Sequence, residues 1–111
     1  MAAVPRASPA VFVGVTSLDV VHRVDEPPPW GRKSTSNGVE LCAGGPAANA
    51  AVTCAALLGS ATLITAIGSG QAAGVVLDDL AAQGVSVIDI ADSSWRIPAA
   101  SVLVAADGAR S

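Results

Sequence analysis

The stretch from Leu41 to Leu77 contains no charged side chain, and this feature limits the possible folds more than any other part of the sequence. A membrane-spanning helix needs about 20 consecutive, predominantly apolar residues. Glycine, serine and proline interrupt the stretch at 44–46, 59–60 and 68–70, and alanine and threonine are more frequent in it than leucine or phenylalanine. We therefore expect short buried strands and helices rather than a membrane span, and no membrane partner.

The uninterrupted pieces alternate between two kinds of secondary structure. Short apolar runs rich in β-branched residues predict buried strands over 10–15, 61–67 and 85–90. Longer Ala-rich or amphipathic runs predict helices over 46–58 and 72–83, and Gly84 fits the position just after the second helix. Strands and helices in alternation with short connections predict an α/β fold with a parallel sheet.

Three other segments differ from these buried runs. Residues 20–24, 39–42 and 99–105 are strand-like and flank polar loops, and Ala106-Asp107-Gly108 is a hairpin turn signal. They predict a small β flap beside the main sheet. Residues 1–9 are typical of a flexible tail.

Composition excludes several classes of function. A chain of 111 residues forms one domain at most. Its net charge of −3 and scattered basic residues provide no patch for nucleic acid. Cys42 and Cys54 lack metal-ligand spacing, which predicts free thiols in a reducing compartment and a cytoplasmic protein. The single histidine, His22, does not support a Ser-His or Cys-His mechanism.

The segment Ala43–Asn49 has the pattern of a tight loop that enters a helix. Glycine permits positive φ and a close approach of other groups, and Pro46 suits the first helical turn. The exposed N–H groups of such a loop, beside the positive end of a helix, can bind hydroxyl or anionic groups of a ligand. Gly44, Gly45 and Asn49 are therefore candidate binding residues. The alternative is a simple turn followed by a helix cap.

Asp19 is a second candidate. We expect it just beyond the carboxyl end of the first strand, where open α/β sheets bind ligands. A carboxylate there can accept hydrogen bonds from two neighbouring hydroxyls of a sugar. A surface aspartate is the alternative, but the fold would bring Asp19 to the same edge as Gly44, Gly45 and Asn49. Together these four residues predict a polyol site.

A second glycine-rich loop follows the second buried strand. Gly68–Gly74 follows a strand and opens a helix, like a dinucleotide-binding loop, but its spacing is one residue too long for G-x-G-x-x-G. Asp89 and Asp92 lie where a ribose-binding acid could fall. A small Rossmann-like dinucleotide-binding domain is thus one alternative function, and a non-catalytic sugar-binding or assembly module is another. A glycine-rich βα turn is the purely structural interpretation.

Residues 43–51, Ala-Gly-Gly-Pro-Ala-Ala-Asn-Ala-Ala, resemble the first signature of the ribokinase-like (PfkB) carbohydrate kinases. Segments 12–19, 57–68, 80–85 and 102–108 follow the order of that family, so the resemblance runs from residue 10 onward. It implies a ribokinase-like three-layer parallel sheet, present here in part, with a small β lid. Residues 10–111 would be the N-terminal part of the kinase domain, with lid segments at about 20–43 and 99–111.

The resemblance also implies a function. Members of this family phosphorylate a sugar hydroxyl with ATP and Mg²⁺. The positions that match Asp19, Gly44, Gly45 and Asn49 hold the acceptor, a sugar or similar polyol. The lid strands close over it, and self-association or a dimer through these strands is expected.

Three positions depart from the family pattern. Gly59 comes one residue late, and Ser69-Gly70 stands where an acidic pair often occurs. Pro46 replaces a lysine of ribokinase proper, so ribose is not implied as the substrate.

The larger departure is the family's later D-T-x-G-A-G-D-like segment, which supplies the catalytic base and anion hole and does not occur in these residues. We therefore expect a truncated acceptor-binding portion without the C-terminal catalytic half. It would have no catalytic residue, be inactive alone and bind ATP and Mg²⁺ poorly.

Overall fold

The computed structural model describes residues 10–111, so the tail predicted at 1–9 lies outside the described residues. The elements are β1 (Val11–Val13), β2 (Ser17–Arg23), β3 (Gly38–Gly44), α1 (Pro46–Leu58), β4 (Ala61–Thr65), α2 (Gln71–Ala82), β5 (Val85–Asp89) and β6 (Ala99–Val104). The strands form two three-stranded sheets, ordered β1-β4-β5 and β3-β2-β6. This confirms the predicted α/β class.

The first sheet is parallel throughout, and both helices pack on one of its faces. In the central strand β4, the alternate residues Ala61, Leu63 and Thr65 are buried. Leu63, Val76 and Leu80 have no exposed surface, and burying side chains of this size contributes about 1.5–3 kcal/mol each. The core therefore lies between this sheet and the two helices.

The opposite face of the parallel sheet is uncovered in residues 10–111. Val11, Val13 and Ile88 on this face are more than half exposed, as are Val15 and Ile90 just beyond the strands. Ile64 in the central strand is partly exposed. Parallel sheets in α/β proteins are normally covered on both faces. The described residues thus supply the sheet and one helical layer of a three-layer arrangement.

The second sheet is built around β2, with β3 antiparallel on one side and β6 parallel on the other. The turn predicted at 106–108 is present, and the Gly108 N–H donates to the Ala105 carbonyl at 2.9 Å. A buried hydrogen bond of 2.8 Å joins the hydroxyls of Thr16 and Thr65, at the junction between the two sheets. This arrangement is the small β flap that the sequence predicted.

One position differs from the sequence-based expectation: Asp19 lies inside β2 rather than after the first strand. β1 ends at Val13, and the following Gly14 approaches α1 so closely that an added Cβ would lie 2.7 Å from Cβ of Ala47. The chain then crosses to the second sheet, where the Leu18 N–H donates to the Pro98 carbonyl at 2.8 Å. This early pairing includes Asp19 in the new strand.

Helices long and apolar enough to cross a membrane do not occur in the part of the chain that the structure describes.

Candidate functional site

The candidate site is centred on the loop between β3 and α1. Gly44 ends β3, Gly45 precedes α1 with φ of 100°, and Pro46 is the first helical residue. A Cβ on Gly45 would overlap the carbonyl oxygen of Val15, so this position requires glycine for both conformation and space. No side chain of the described residues caps α1. Pro46 has no N–H and the Asn49 N–H donates to Gly45, so the uncapped N–H groups are those of Ala47 and Ala48.

The Asp19 carboxylate lies directly against Gly44. Asp19 pairs with Cys42 across β2 and β3, so its side chain leans toward the residue two positions farther along β3. A Cβ on Gly44 would overlap the carboxylate. Ser17 donates a hydrogen bond of 2.8 Å to Oδ1 of Asp19, and among residues 10–111 Oδ2 has no protein donor. The carboxylate thus keeps acceptor capacity beside the glycine loop.

Asn49 lies in the first turn of α1 and is exposed. Its backbone N–H donates to the Gly45 carbonyl at 2.9 Å. Its side chain borders a groove on the outer face of the helix with Thr53 and Leu57, and within the described residues it has no hydrogen bond to Asp19. The fold therefore brings Asp19, Gly44 and Gly45 together and places Asn49 one turn along the helix.

Asp79 of α2 supports the site, and the sequence interpretation missed it. Its Oδ2 accepts the backbone N–H of Ala43 at 2.8 Å, immediately before the two glycines. Ala43 lies in β3, which is an edge strand. Its N–H is directed to Asp79 and not to a neighbouring strand. The amphipathic pattern places Asp79 on the polar face of α2, but only the tertiary fold reveals that a strand edge lies opposite.

The thiol of Cys42 experiences the charges around the site. Burial, followed by the negative charges of Asp19, Asp79 and Glu40, raises the pKa of the Cys42 thiol. Cys42 lies opposite Asp19 in the sheet. Three carboxylates, those of Asp19, Asp79 and Glu40, therefore lie close enough to Cys42 to affect its thiol.

The second glycine loop has a different structure. Asp89 accepts backbone N–H groups from Ile67 at 3.0 Å, Gly68 at 2.9 Å and Ala91 at 2.9 Å. The bond from Ile67, together with those from Ala91 and Gly68, lowers the pKa of the Asp89 carboxyl against the opposing effect of burial. A pyrophosphate would bind the N–H groups at the start of α2, which have no side-chain cap. Asp89 instead occupies N–H groups just after β4 and just after β5.

Asp92, the other acid near this loop, forms a local turn. It accepts the backbone N–H of Ser94 at 2.9 Å and the Ser94 hydroxyl at 2.6 Å. These bonds, the hydroxyl first, lower the pKa of the Asp92 carboxyl. Asp92 thus has a local structural role.

Histidine, cysteine and acidic side chains do not gather in groups of three or more that could hold a metal ion anywhere in residues 10–111.

A family model described as "pfkB family carbohydrate kinase" matches residues 8–111. A search of curated proteins found no match.

Several solved structures have the same fold. A putative ribokinase from Agrobacterium tumefaciens is 25% identical with a TM-score of 0.81, over 92% of this chain and 34% of its own. Phosphofructokinase-2 from Escherichia coli, in complex with fructose-6-phosphate, is 25% identical with a TM-score of 0.78, over 93% and 34%. Ribokinase from Arabidopsis thaliana, complexed with ribose and ATP, is 23% identical with a TM-score of 0.67, over 95% and 35%. The chain thus spans about a third of the length of these proteins.

Proposed function

Because the chain belongs to the pfkB family of carbohydrate kinases, we propose that it forms the acceptor-binding part of an ATP-dependent kinase that phosphorylates a sugar hydroxyl. The observation that carries the proposal is the Asp19 carboxylate packed on Gly44, beside the uncapped start of α1. Two of the similar structures contain ribose or fructose-6-phosphate. A sugar or related polyol is therefore the proposed ligand.

The proposed acceptor site assigns a role to each of the four residues. Asp19 accepts hydrogen bonds from neighbouring hydroxyls of the sugar, with Oδ2 free of protein donors in the described residues. Gly44 and Gly45 let the sugar approach the backbone, and the first N–H groups of α1 donate to its oxygens. Asn49 can both donate and accept through its amide.

The second sheet is the proposed lid. β2 carries Asp19 itself, so movement of this sheet against the parallel sheet would open or close the acceptor site. Closure would exclude water from the reacting hydroxyl. We also propose that the outer surfaces of β2, β3 and β6 mediate self-association, and that the protein acts in the cytoplasm.

In the full-length family, ATP with Mg²⁺ supplies the phosphoryl group. Phosphoryl transfer needs a positioned nucleotide, charge stabilisation and a group that orients the nucleophile. The D-T-x-G-A-G-D-like segment does not occur in these residues, so we assign none of them to those tasks. We expect the purified 111-residue protein to transfer no phosphate from ATP to sugars. Turnover in a coupled assay for ADP would contradict this expectation.

Sugar binding by the chain itself tests the acceptor role. We expect D-ribose and D-fructose to give saturation-transfer NMR signals with the protein. Asp19→Asn should weaken binding by about tenfold or more, because a hydrogen bond to a charged acceptor is replaced by one to a neutral group. Asp92→Asn is the matched control, since it changes an aspartate within a local turn. Equal binding by the Asp19 variant and the unmodified protein would refute the proposed site.

A further inference from the structure

We propose that Asp79 is a positioning residue of the acceptor site: from α2, it holds the end of β3 so that the glycine loop keeps its place beside Asp19 while the rest of the second sheet moves. This inference rests on the proposed function, because it concerns how that site is held in place. The parallel sheet and its two helices, which include Asp79, are called the base below.

The chain passes between the base and the second sheet three times in residues 10–111: before β2, after β3 and before β6. At the first passage, the buried hydroxyl of Thr16 lies 2.8 Å from that of Thr65, at the end of β4. At the third, Asp89 at the end of β5 accepts the Ala91 N–H at 2.9 Å. A side chain of the base therefore holds each of these two passages.

Asp79 holds the remaining passage, the one at the glycine loop. Its Oδ2 accepts the Ala43 N–H at 2.8 Å, one residue before Gly44 and two before Gly45. Because β3 is an edge strand, it has no neighbouring strand on this side that could accept the N–H instead. The adjacent Leu80 is fully buried, which fixes this turn of α2 in the base. The bond thus ties the start of the glycine loop to a rigid element.

The two halves of the proposed acceptor site meet at this point. Asp19 comes from the second sheet and packs on Gly44, whereas the uncapped N–H groups come from the first turn of α1 in the base. Only Gly45 separates the end of β3 from the first residue of α1. A rotation of β3 here would turn Gly44 and the Asp19 carboxylate away from those N–H groups. With Ala43 held by Asp79, movement is confined to the far ends of the strands.

The first experiment tests the bond itself and needs no sugar. We expect the Ala43 amide to exchange with deuterated solvent about tenfold or more faster in Asp79→Ala than in the unmodified protein, because its acceptor is lost. Asp79→Asn should keep most of the protection, since its amide oxygen can accept the same N–H. The Leu63 amide reports any general loss of stability. Unchanged exchange of Ala43, or an equal acceleration of Ala43 and Leu63, would overturn the inference.

The second experiment measures the affinity for D-ribose and D-fructose by NMR titration. We expect Asp79→Ala to weaken binding about fivefold or more, because the donors and the acceptor of the site lose their alignment, and Asp79→Asn to restore it to within about twofold. Asp78→Ala, at the adjacent exposed position of α2, is the matched control and should bind normally.

The outcomes of this titration separate the inference from the proposed function. Equal affinity of Asp79→Ala and the unmodified protein would refute the positioning role while the acceptor site stands. If the unmodified protein binds neither sugar, the acceptor site and its positioning residue fail together.

A double-mutant cycle distinguishes positioning from a general structural role. If Asp79 acts by keeping Asp19 aligned with the start of α1, its loss should matter less once the Asp19 carboxylate is gone. We expect the fivefold effect of Asp79→Ala on sugar affinity to fall to about twofold or less in an Asp19→Asn background. Additive effects of the two substitutions would contradict the positioning role.

Discussion

The two glycine loops of this protein look alike in sequence but differ in what their aspartate does. Each loop follows a strand, precedes a helix and has a glycine at positive φ directly before that helix, Gly45 at 100° and Gly70 at 106°. At the second loop, the Asp89 carboxylate accepts the N–H groups of Ile67 and Gly68. At the first, Asp19 lies against Gly44 and accepts its hydrogen bond from Ser17.

This difference separates the proposed acceptor site from the second loop. At the second loop, two backbone N–H groups are already occupied by a carboxylate and cannot bind a ligand, and within the described residues no aspartate side chain lies free beside the uncapped helix start. A loop whose N–H groups and neighbouring carboxylate remain available can bind both donors and acceptors of a polyol. The presence of glycine does not separate the two cases; the position of the nearest aspartate does.

Among single substitutions, we expect one at Gly45 to lower the free energy of unfolding most. Gly45→Ala introduces a strained φ and a Cβ that overlaps the Val15 carbonyl oxygen. We expect a loss of about 3 kcal/mol in the free energy of unfolding, from backbone strain and overpacking together. Gly70→Ala is the matched control, since an added Cβ meets nothing within 4 Å and only the strain of about 1 kcal/mol remains. Urea denaturation of both variants measures the difference, and equal losses would contradict the close packing of the first loop.

Removing one hydroxyl of the pair at the junction of the two sheets should have the next largest effect on stability. Thr65→Val leaves the buried Thr16 hydroxyl without its partner, and this should cost about 2 kcal/mol of stability. The double variant with Thr16→Val should regain part of this loss, because no unpaired hydroxyl remains. Additive losses in a double-mutant cycle would show that the two hydroxyls do not act as a pair.

Asp89→Ala should have a smaller effect on stability. The carboxylate is exposed, so loss of its three backbone hydrogen bonds is expected to cost about 1 kcal/mol after allowance for solvent. We expect sugar binding to remain unchanged, whereas Asp19→Asn should weaken it. Weaker sugar binding in Asp89→Ala would indicate that the second loop belongs to the ligand site.

The contribution of Asp89 to stability depends on pH, because folding lowers the pKa of its carboxyl. The folded state lowers the pKa of Asp89 below its ordinary value of 3.8, so its stabilising effect is complete above that pH and is lost as the pH falls through the lowered value. Thermal unfolding of the unmodified protein and Asp89→Ala from pH 7 to pH 2 checks this. The difference between their melting temperatures should shrink toward low pH. A difference that grows toward low pH would contradict a lowered pKa of Asp89.

The uncovered sheet face gives a further, weaker expectation about association. Val13 and Ile88 are 70% and 52% exposed on this apolar surface. Exposed patches of this kind promote association. Replacing both by lysine should reduce the apparent mass in size-exclusion chromatography at high protein concentration, and an unchanged profile would mean that this face does not mediate association.

Much of the fold was predictable because its signals are local. The β-branched runs, the helix periodicity and the glycine punctuation predicted β4, α1 and α2 to within a few residues. The start of β2 was not predictable from the sequence, because it depends on pairing with residues near Pro98. The roles of Asp79 and Asp89 also depend on strands distant in sequence, and no local pattern reports such contacts. Asp19 and the two glycines could be proposed as a site from residue type and order, but their direct contact required the structure.

We propose that the first glycine loop, and not the second, binds the acceptor. The most direct measurement is a ¹⁵N heteronuclear NMR titration of the protein with D-ribose or D-fructose, following the amide signals of both loops. We predict that the amide signals of Gly44, Gly45 and Asn49 shift with saturable dependence on sugar concentration, while those of Gly68 and Gly70 stay in place. Shifts confined to Gly68 and Gly70, or signals that do not respond at Gly44 and Gly45, would contradict it.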